Sequence, residues 1–278
     1  MLREFKSPMS SLVSRVVAAM QTIAPLSYAD HSWDNVGLLI DSPHPFPSLT
    51  RVGIALDISP GVIAECISNN VGVLVCYHPV VFPSLKRLTS QDPKQLSLLS
   101  AIRQGIAIYC PHTALDSCPG GINEWIATGL LGPCDMSFVD VKSQQGILAR
   151  PTEAPPTLAA VVARMKLHFQ TATVRAAMGV DHELETTRCN SMAICAGSGG
   201  SLLKSTAGAV DVAVSGEMDH HTVLAMVQKG TTVLLVEHGS SERGFLSAVL
   251  RARLVEVMGV DDSDVVMVKS DVDVIQYV

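Results

Sequence analysis

The chain has 278 residues, enough for one large domain or two modest ones, and 47% of them are hydrophobic, ample for a core. A formal charge of −6 without any run of Lys and Arg argues against broad binding to a phosphate backbone. Mean hydropathy is +0.32, yet no apolar run approaches the ~20 residues of a spanning helix, so a soluble globular protein with no membrane partner is expected.

The N-terminus carries Arg3, Lys6 and Arg15 among serines, a weak likeness to a mitochondrial presequence, but Glu4 is present and Ser14 and Arg15 break the apolar stretch. A first amphipathic helix over residues 11–25 is the better reading: Leu12, Val13, Val16, Val17, Met20 and Ile23 fall at helical spacing and Pro25 closes it. Short runs rich in Val, Ile and Leu follow at 36–40, 52–56, 71–76 and 106–110, without polar alternation, as in strands buried on both faces. Segments of helical period lie between them at 60–68 and 93–103. Gly132-Pro133 and residues 151–156 are the best loop signals, and a helical segment over 158–169 follows. Strands at 192–195, 210–214, 233–236 and 265–268 then alternate with helices near 201–208, 217–229 and 241–257. The expected fold is α/β, two packed lobes with mixed sheets and helices on the sheet faces. The division expected is 1–130 and 131–278, with the joint anywhere from 130 to 190.

Seven scattered cysteines, an odd number with no C-x-x-C pair and no secretory signal, read as reduced intracellular thiols. A cytoplasmic location is expected, with a mitochondrial one as the alternative.

Three of the apolar strands end in loops carrying histidine. The first runs into Tyr77-His78-Pro79, the second into Pro111-His112-Thr113-Ala114-Leu115-Asp116, and the third into Glu237-His238 with Glu242 beyond. Carboxyl ends of strands in an open α/β sheet are where ligands bind. His78, Asp116, His238 and Glu242 are the candidate metal ligands, a mixed His and carboxylate set suited to two divalent ions drawn from Zn, Mn, Fe, Co or Ni. His238 and Glu242 share a side if a helix starts near His238. A lone strand-end histidine is more often a structural hydrogen-bonder, but three such loops make independent accidents a poor account. Gly216-Glu217-Met218-Asp219-His220-His221 opens another helix, and capping alone explains Glu217 and Asp219. Gly197-Ser198-Gly199-Gly200 reads as a tight strand-to-helix turn before an anion nest, since no P-loop Lys follows. Asp34 and Asn35, after Trp33, read as ordinary turn formers.

Taken together, Trp33-Asp34-Asn35-Val36-Gly37-Leu38, Tyr77-His78-Pro79 with Phe82, and Pro111 to Asp116 followed by Gly120-Gly121-Ile122-Asn123 resemble one family. So do Gly197-Ser198-Gly199, Ser215-Gly216-Glu217 with His220-His221, and His238-Gly239-Ser240-Ser241-Glu242. It is the NGG-interacting-factor-three family, whose bacterial members are often labelled GTP cyclohydrolase I type 2. The resemblance runs from about residue 10 to the C-terminus. It implies a hollow, ring-like homohexamer with a dinuclear metal site at strand C-terminal ends between the lobes, and His78, Asp116, His238 and Glu242 fall on the family's ligand positions. Where many members have two consecutive histidines, this chain has Tyr77-His78. A metal-dependent hydrolase acting on a small-molecule substrate is expected. The alternative is a non-catalytic oligomeric scaffold, a transcription-related protein-interaction partner with structural metals. No nucleic-acid partner is expected from the acidic balance.

Overall fold

The computed structural model describes residues 11–43 and 46–276. The presequence-like residues Arg3, Glu4 and Lys6 lie outside the described residues. In chain order the elements are α1 (Leu12–Ile23), β1 (Gly37–Ile40), β2 (Arg51–Ala55), α2 (Pro60–Ser68), β3 (Val71–Cys76), α3 (Pro93–Arg103), β4 (Ala107–Cys110), α4 (His112–Ser117) and α5 (Ile122–Leu131). There follow β5 (Cys134–Asp140), β6 (Gln145–Pro151), α6 (Leu158–His168), β7 (Arg175–Ala177), β8 (Met192–Ser198), α7 (Gly200–Leu203), β9 (Val212–Glu217), α8 (His220–Val227) and β10 (Thr232–Leu235). The last are α9 (His238–Phe245), a π-helical turn over Leu246–Leu250, α10 (Arg251–Met258) and β11 (Val265–Met267).

The chain divides into two compact units, one of residues 1–118 with 246–272, the other of 119–245 with 273–278. The division thus falls at Cys118, short of the expected 130, and the strand at 265–267, read from sequence as part of the second lobe, belongs to the first. The reason is pairing: β11 runs parallel to β2, Val265 opposite Val52 and Met267 opposite Ile54, a partnership between strands 213 residues apart that no local pattern encodes.

The first unit holds a five-stranded mixed sheet in the order β1-β4-β3-β2-β11. β2, β3, β4 and β11 are parallel and β1 antiparallel. β3 and β4 are buried at every position, as their unbroken apolar runs require. α2 and α3 begin at side-chain caps, Ser59 and Asp92, each followed by Pro at the first helical position, which settles two orphan amide problems at once. The core gathers Val71, Leu74, Cys76, Leu98, Ile106 and Ile108.

The second unit holds a six-stranded mixed sheet in the order β5-β6-β8-β9-β10-β7. Its centre, β8-β9-β10, is parallel, and its flanks are antiparallel. Ala193, Ala213, Met226, Val233 and Leu235 form its core. No helix among the described residues is long and apolar enough to cross a membrane.

Candidate functional site

Each unit brings parallel strands to a common C-terminal edge, and the candidate donors stand on those edges. In the first unit, β3 passes into Tyr77 and His78, whose amides bond to Ala55 O and Leu56 O at 2.9 and 3.0 Å, so the donor loop is held to the end of β2. Asp57 follows two residues after the end of β2, and its Oδ1 lies 2.9 Å from His78 Nδ1. A carboxylate only accepts, so this bond puts the neutral ring's proton on Nδ1 and leaves the Nε2 lone pair as its donor to a cation. Asp57 has no motif around it; only the pairing of β2 with β3 gives it a partner.

Asp116 stands on α4, and the Tyr77 hydroxyl donates to its Oδ1. The phenol therefore orients the Asp116 carboxylate, with its ring fully buried. His112 opens α4 in an unusual conformation, φ +27. Its Nδ1 bonds to Asp34 Oδ1 at 2.8 Å, while Thr113 donates both its amide and its hydroxyl to Asp34 Oδ2. Asp34 is thus not a plain turn former: its side chain is fully covered. Burial pushes its carboxyl pKa up, but the hydrogen bonds and charge of His112 and the Thr113 bonds outweigh that, leaving it below the ordinary carboxylate value. The rings of His78 and His112 lie 5.7 Å apart and those of Tyr77 and His112 5.4 Å.

In the second unit, α9 begins at His238, and Glu242 sits one turn on with its Oε1 3.5 Å from His238 Nε2. The shared side expected from the four-residue spacing is what the helix delivers. His238 Nδ1 bonds to Glu217 Oε1 at 3.0 Å, across from the end of β9. Capping accounts for Asp219, whose Oδ1 accepts from the Thr222 amide, but Glu217 has a different partner and a different job. Serines fix the surroundings: Ser241 Oγ accepts from Gly197 N and donates to His238 O, and Ser215 Oγ accepts from Gly199 N.

The glycine run at the end of β8 forms the strand-to-helix turn expected, and one of its members, inside the strand, is required by space. Gly197 has φ +62, and a Cβ there would sit 2.5 Å from Glu242 Oε1 and 3.0 Å from His238 Nε2. The backbone of β8 therefore lies against the donor atoms, where only glycine fits.

A family model described as Duf34/NIF3 (NGG1p interacting factor 3) matches residues 11–273. A Schizosaccharomyces pombe protein named NIF3 homolog is 35% identical over 280 residues, 96% of this chain and 97% of that one. The Saccharomyces cerevisiae protein named NGG1-interacting factor 3 is 32% identical, with 94% and 95% covered. Among solved structures, Staphylococcus aureus protein SA1388 superposes with a TM-score of 0.77 at 23% identity, covering 96% of this chain and 99% of that one. Reduced HcgD from Methanocaldococcus jannaschii also gives 0.77, at 21% identity with 92% and 97% covered. These last two likenesses establish the fold.

Proposed function

Because the chain belongs to the Duf34/NIF3 family, we propose that it is a metal-dependent hydrolase resembling GTP cyclohydrolase I type 2, with His78, Asp116, His238 and Glu242 as ligands for two divalent ions. The observation that carries this is His238, with Nδ1 on the Glu217 carboxylate and Nε2 facing Glu242 Oε1 at 3.5 Å. An imidazole backed by a carboxylate at one nitrogen is the usual dress of a metal-binding histidine, because the outer bond fixes the tautomer and raises basicity. His78 repeats it on Asp57. The donors also fit the group chemically: imidazole and carboxylate together suit Zn, Mn, Fe, Co or Ni.

Divalent ions held there would supply a water of pKa lowered to ~7. The remaining work falls to side chains of the chain itself. His112, its Nδ1 fixed on buried Asp34, offers Nε2 to take and return a proton, and Asp34 stabilises the imidazolium so formed. Asp57 and Glu217 hold their histidines in register, and Tyr77 does the same for Asp116.

We place the protein in the cytoplasm, which the seven free thiols support, and as a homohexamer, which the family resemblance supports. Elemental analysis with native mass tests the core of the reading: about two metals per chain in a hexamer is expected, and protein that takes up no metal overturns it. Loaded protein incubated with GTP should release formate; none at any loading removes the cyclohydrolase version. The name of the Saccharomyces cerevisiae relative, NGG1-interacting factor 3, favours a second reading, a protein-binding scaffold with structural metals. Asp116→Ala and Glu242→Ala separate the two. Loss of turnover with the assembly intact supports the enzyme, whereas loss of the oligomer or of partner binding supports the scaffold.

A further inference from the structure

The geometry points to an aromatic wall in the first unit, Trp33 with Phe82, that receives a planar heteroaromatic ring beside His112. Among the described residues three aromatic side chains are exposed, Trp33 (49%), Phe46 and Phe82 (42%), and two of these meet. Their ring centroids lie 6.2 Å apart at 79°. Trp33 is also perpendicular to His112, 5.8 Å away, the imidazole held on Asp34. A lone exposed ring means little, but two that meet make a continuous apolar surface of the kind that receives a ligand.

The wall is rigid. The Trp33 indole N–H donates to Asp30 Oδ2 at 3.1 Å, so its polar handle is already used and what remains is ring face. The Asp30 amide donates to Thr113 Oγ1, which ties the segment to the start of α4. Asn35 Nδ2 donates to Val81 O at 2.7 Å, locking the Trp33 loop to the Phe82 loop. A surface fixed before binding loses little freedom on binding. Beside it an open cleft of about 530 Å³ is lined by His31, Asp34, Asn35, Val81, Ser84 and Leu85, the chain neighbours of both aromatics. Apolar wall, imidazole and a cleft of mixed lining, polar at His31, Asp34, Asn35 and Ser84 and otherwise Val and Leu, together suit a flat ring with heteroatoms on its edge: the faces stack on Trp33, and the edge meets Asn35, Ser84 and His112. Only the nearness to reacting groups rests on the hydrolase reading; the stacking does not.

The test uses metal-free protein, so failure to take up metal leaves it standing. The chain has two tryptophans, and Trp125→Phe makes Trp33 the sole reporter. Adenosine and guanosine, neutral purine nucleosides, should quench its emission saturably, and ribose should not. By equilibrium dialysis Trp33→Ala should weaken nucleoside binding about tenfold, within the range stacking on one side chain supplies, and Trp33→Phe should restore most of it. Absence of saturable quenching, or equal binding by wild type and Trp33→Ala, overturns the proposal. So does a drop in native mass on Trp33→Ala without loss of binding, which would assign the wall to a second copy of the chain. If Trp125→Phe does not fold, dialysis of wild type against Trp33→Ala decides alone.

Discussion

His168, the last residue of α6, shows what burial does to one titratable ring. It stacks on Trp125 with centroids 3.8 Å apart, touches Phe169 edge-on, and is pressed so closely on Gly129 that a Cβ there would lie 2.2 Å from its Cε1. Loss of solvent pushes its pKa down from 6.5 to about 4. Between these values the unfolded chain binds a proton that the native ring refuses. The contribution is therefore whole above pH 6.5 and lost progressively as the pH falls towards 4. The ring is only partly buried, and solvent screening holds the effect to about 1–2 kcal/mol. Denaturant unfolding of wild type and His168→Phe at pH 7 and pH 4.5 should show a smaller loss in the variant; equal losses would remove His168 as the cause. At this scale the sequence is half legible. His78, His238 and Glu242 announce themselves by following buried strands, whereas their partners do not: Asp57 is a lone acid ahead of a Ser-Pro helix start, and Asp34 hides in a turn-like Trp-Asp-Asn. Each acquires meaning only through a neighbour distant in sequence, His78 or His112.

Among the elements, α2 and α3 are legible because cap, Pro and helical period coincide. The β5–β6 hairpin is not, since Cys134–Asp140 is largely exposed and carries no continuous apolar run, and β7 is three residues at an edge. The break of the expected 241–257 helix into a π-helical turn at Leu246–Leu250 has only Gly244, two residues ahead of it, as a local signal. The approach of β8 to α9 is a matter of packing between elements, and it yields a controlled prediction. Gly197→Ala must accept a left-handed φ, costing about 1 kcal/mol, and its methyl must displace the Glu242 carboxylate. Gly259→Ala, at the C-cap of α10, accepts a left-handed φ too, φ +60, with nothing within 4 Å of its Cβ. Both variants should lose stability in thermal melts, Gly197→Ala the more, but only Gly197→Ala should lose metal affinity, by about tenfold or more. Equal metal uptake by the two would show that the Glu242 carboxylate is not a ligand.

For the whole molecule, the consequential fact is that the first unit is closed by the end of the chain. Beyond β11's parallel pairing with β2, Asp271 Oδ2 accepts from Leu56 N at 2.6 Å, and the Glu65 carboxylate accepts from the amides of Lys269 and Ser270. The Arg251 guanidinium donates to Val265 O, steering α10 into the strand, and Val265 is wholly buried. A reading of the sequence as two successive lobes implies that residues 1–118 carry their own core. The pairing implies instead that without 246–272 the β2 edge lies bare, its amides and carbonyls open to another chain. Residues 1–118 expressed alone should therefore aggregate or unfold without cooperativity, and co-expression with 246–272 should restore a cooperative transition and a soluble complex. A soluble, cooperatively folding 1–118 fragment would mean that the returning segment only decorates a unit already complete.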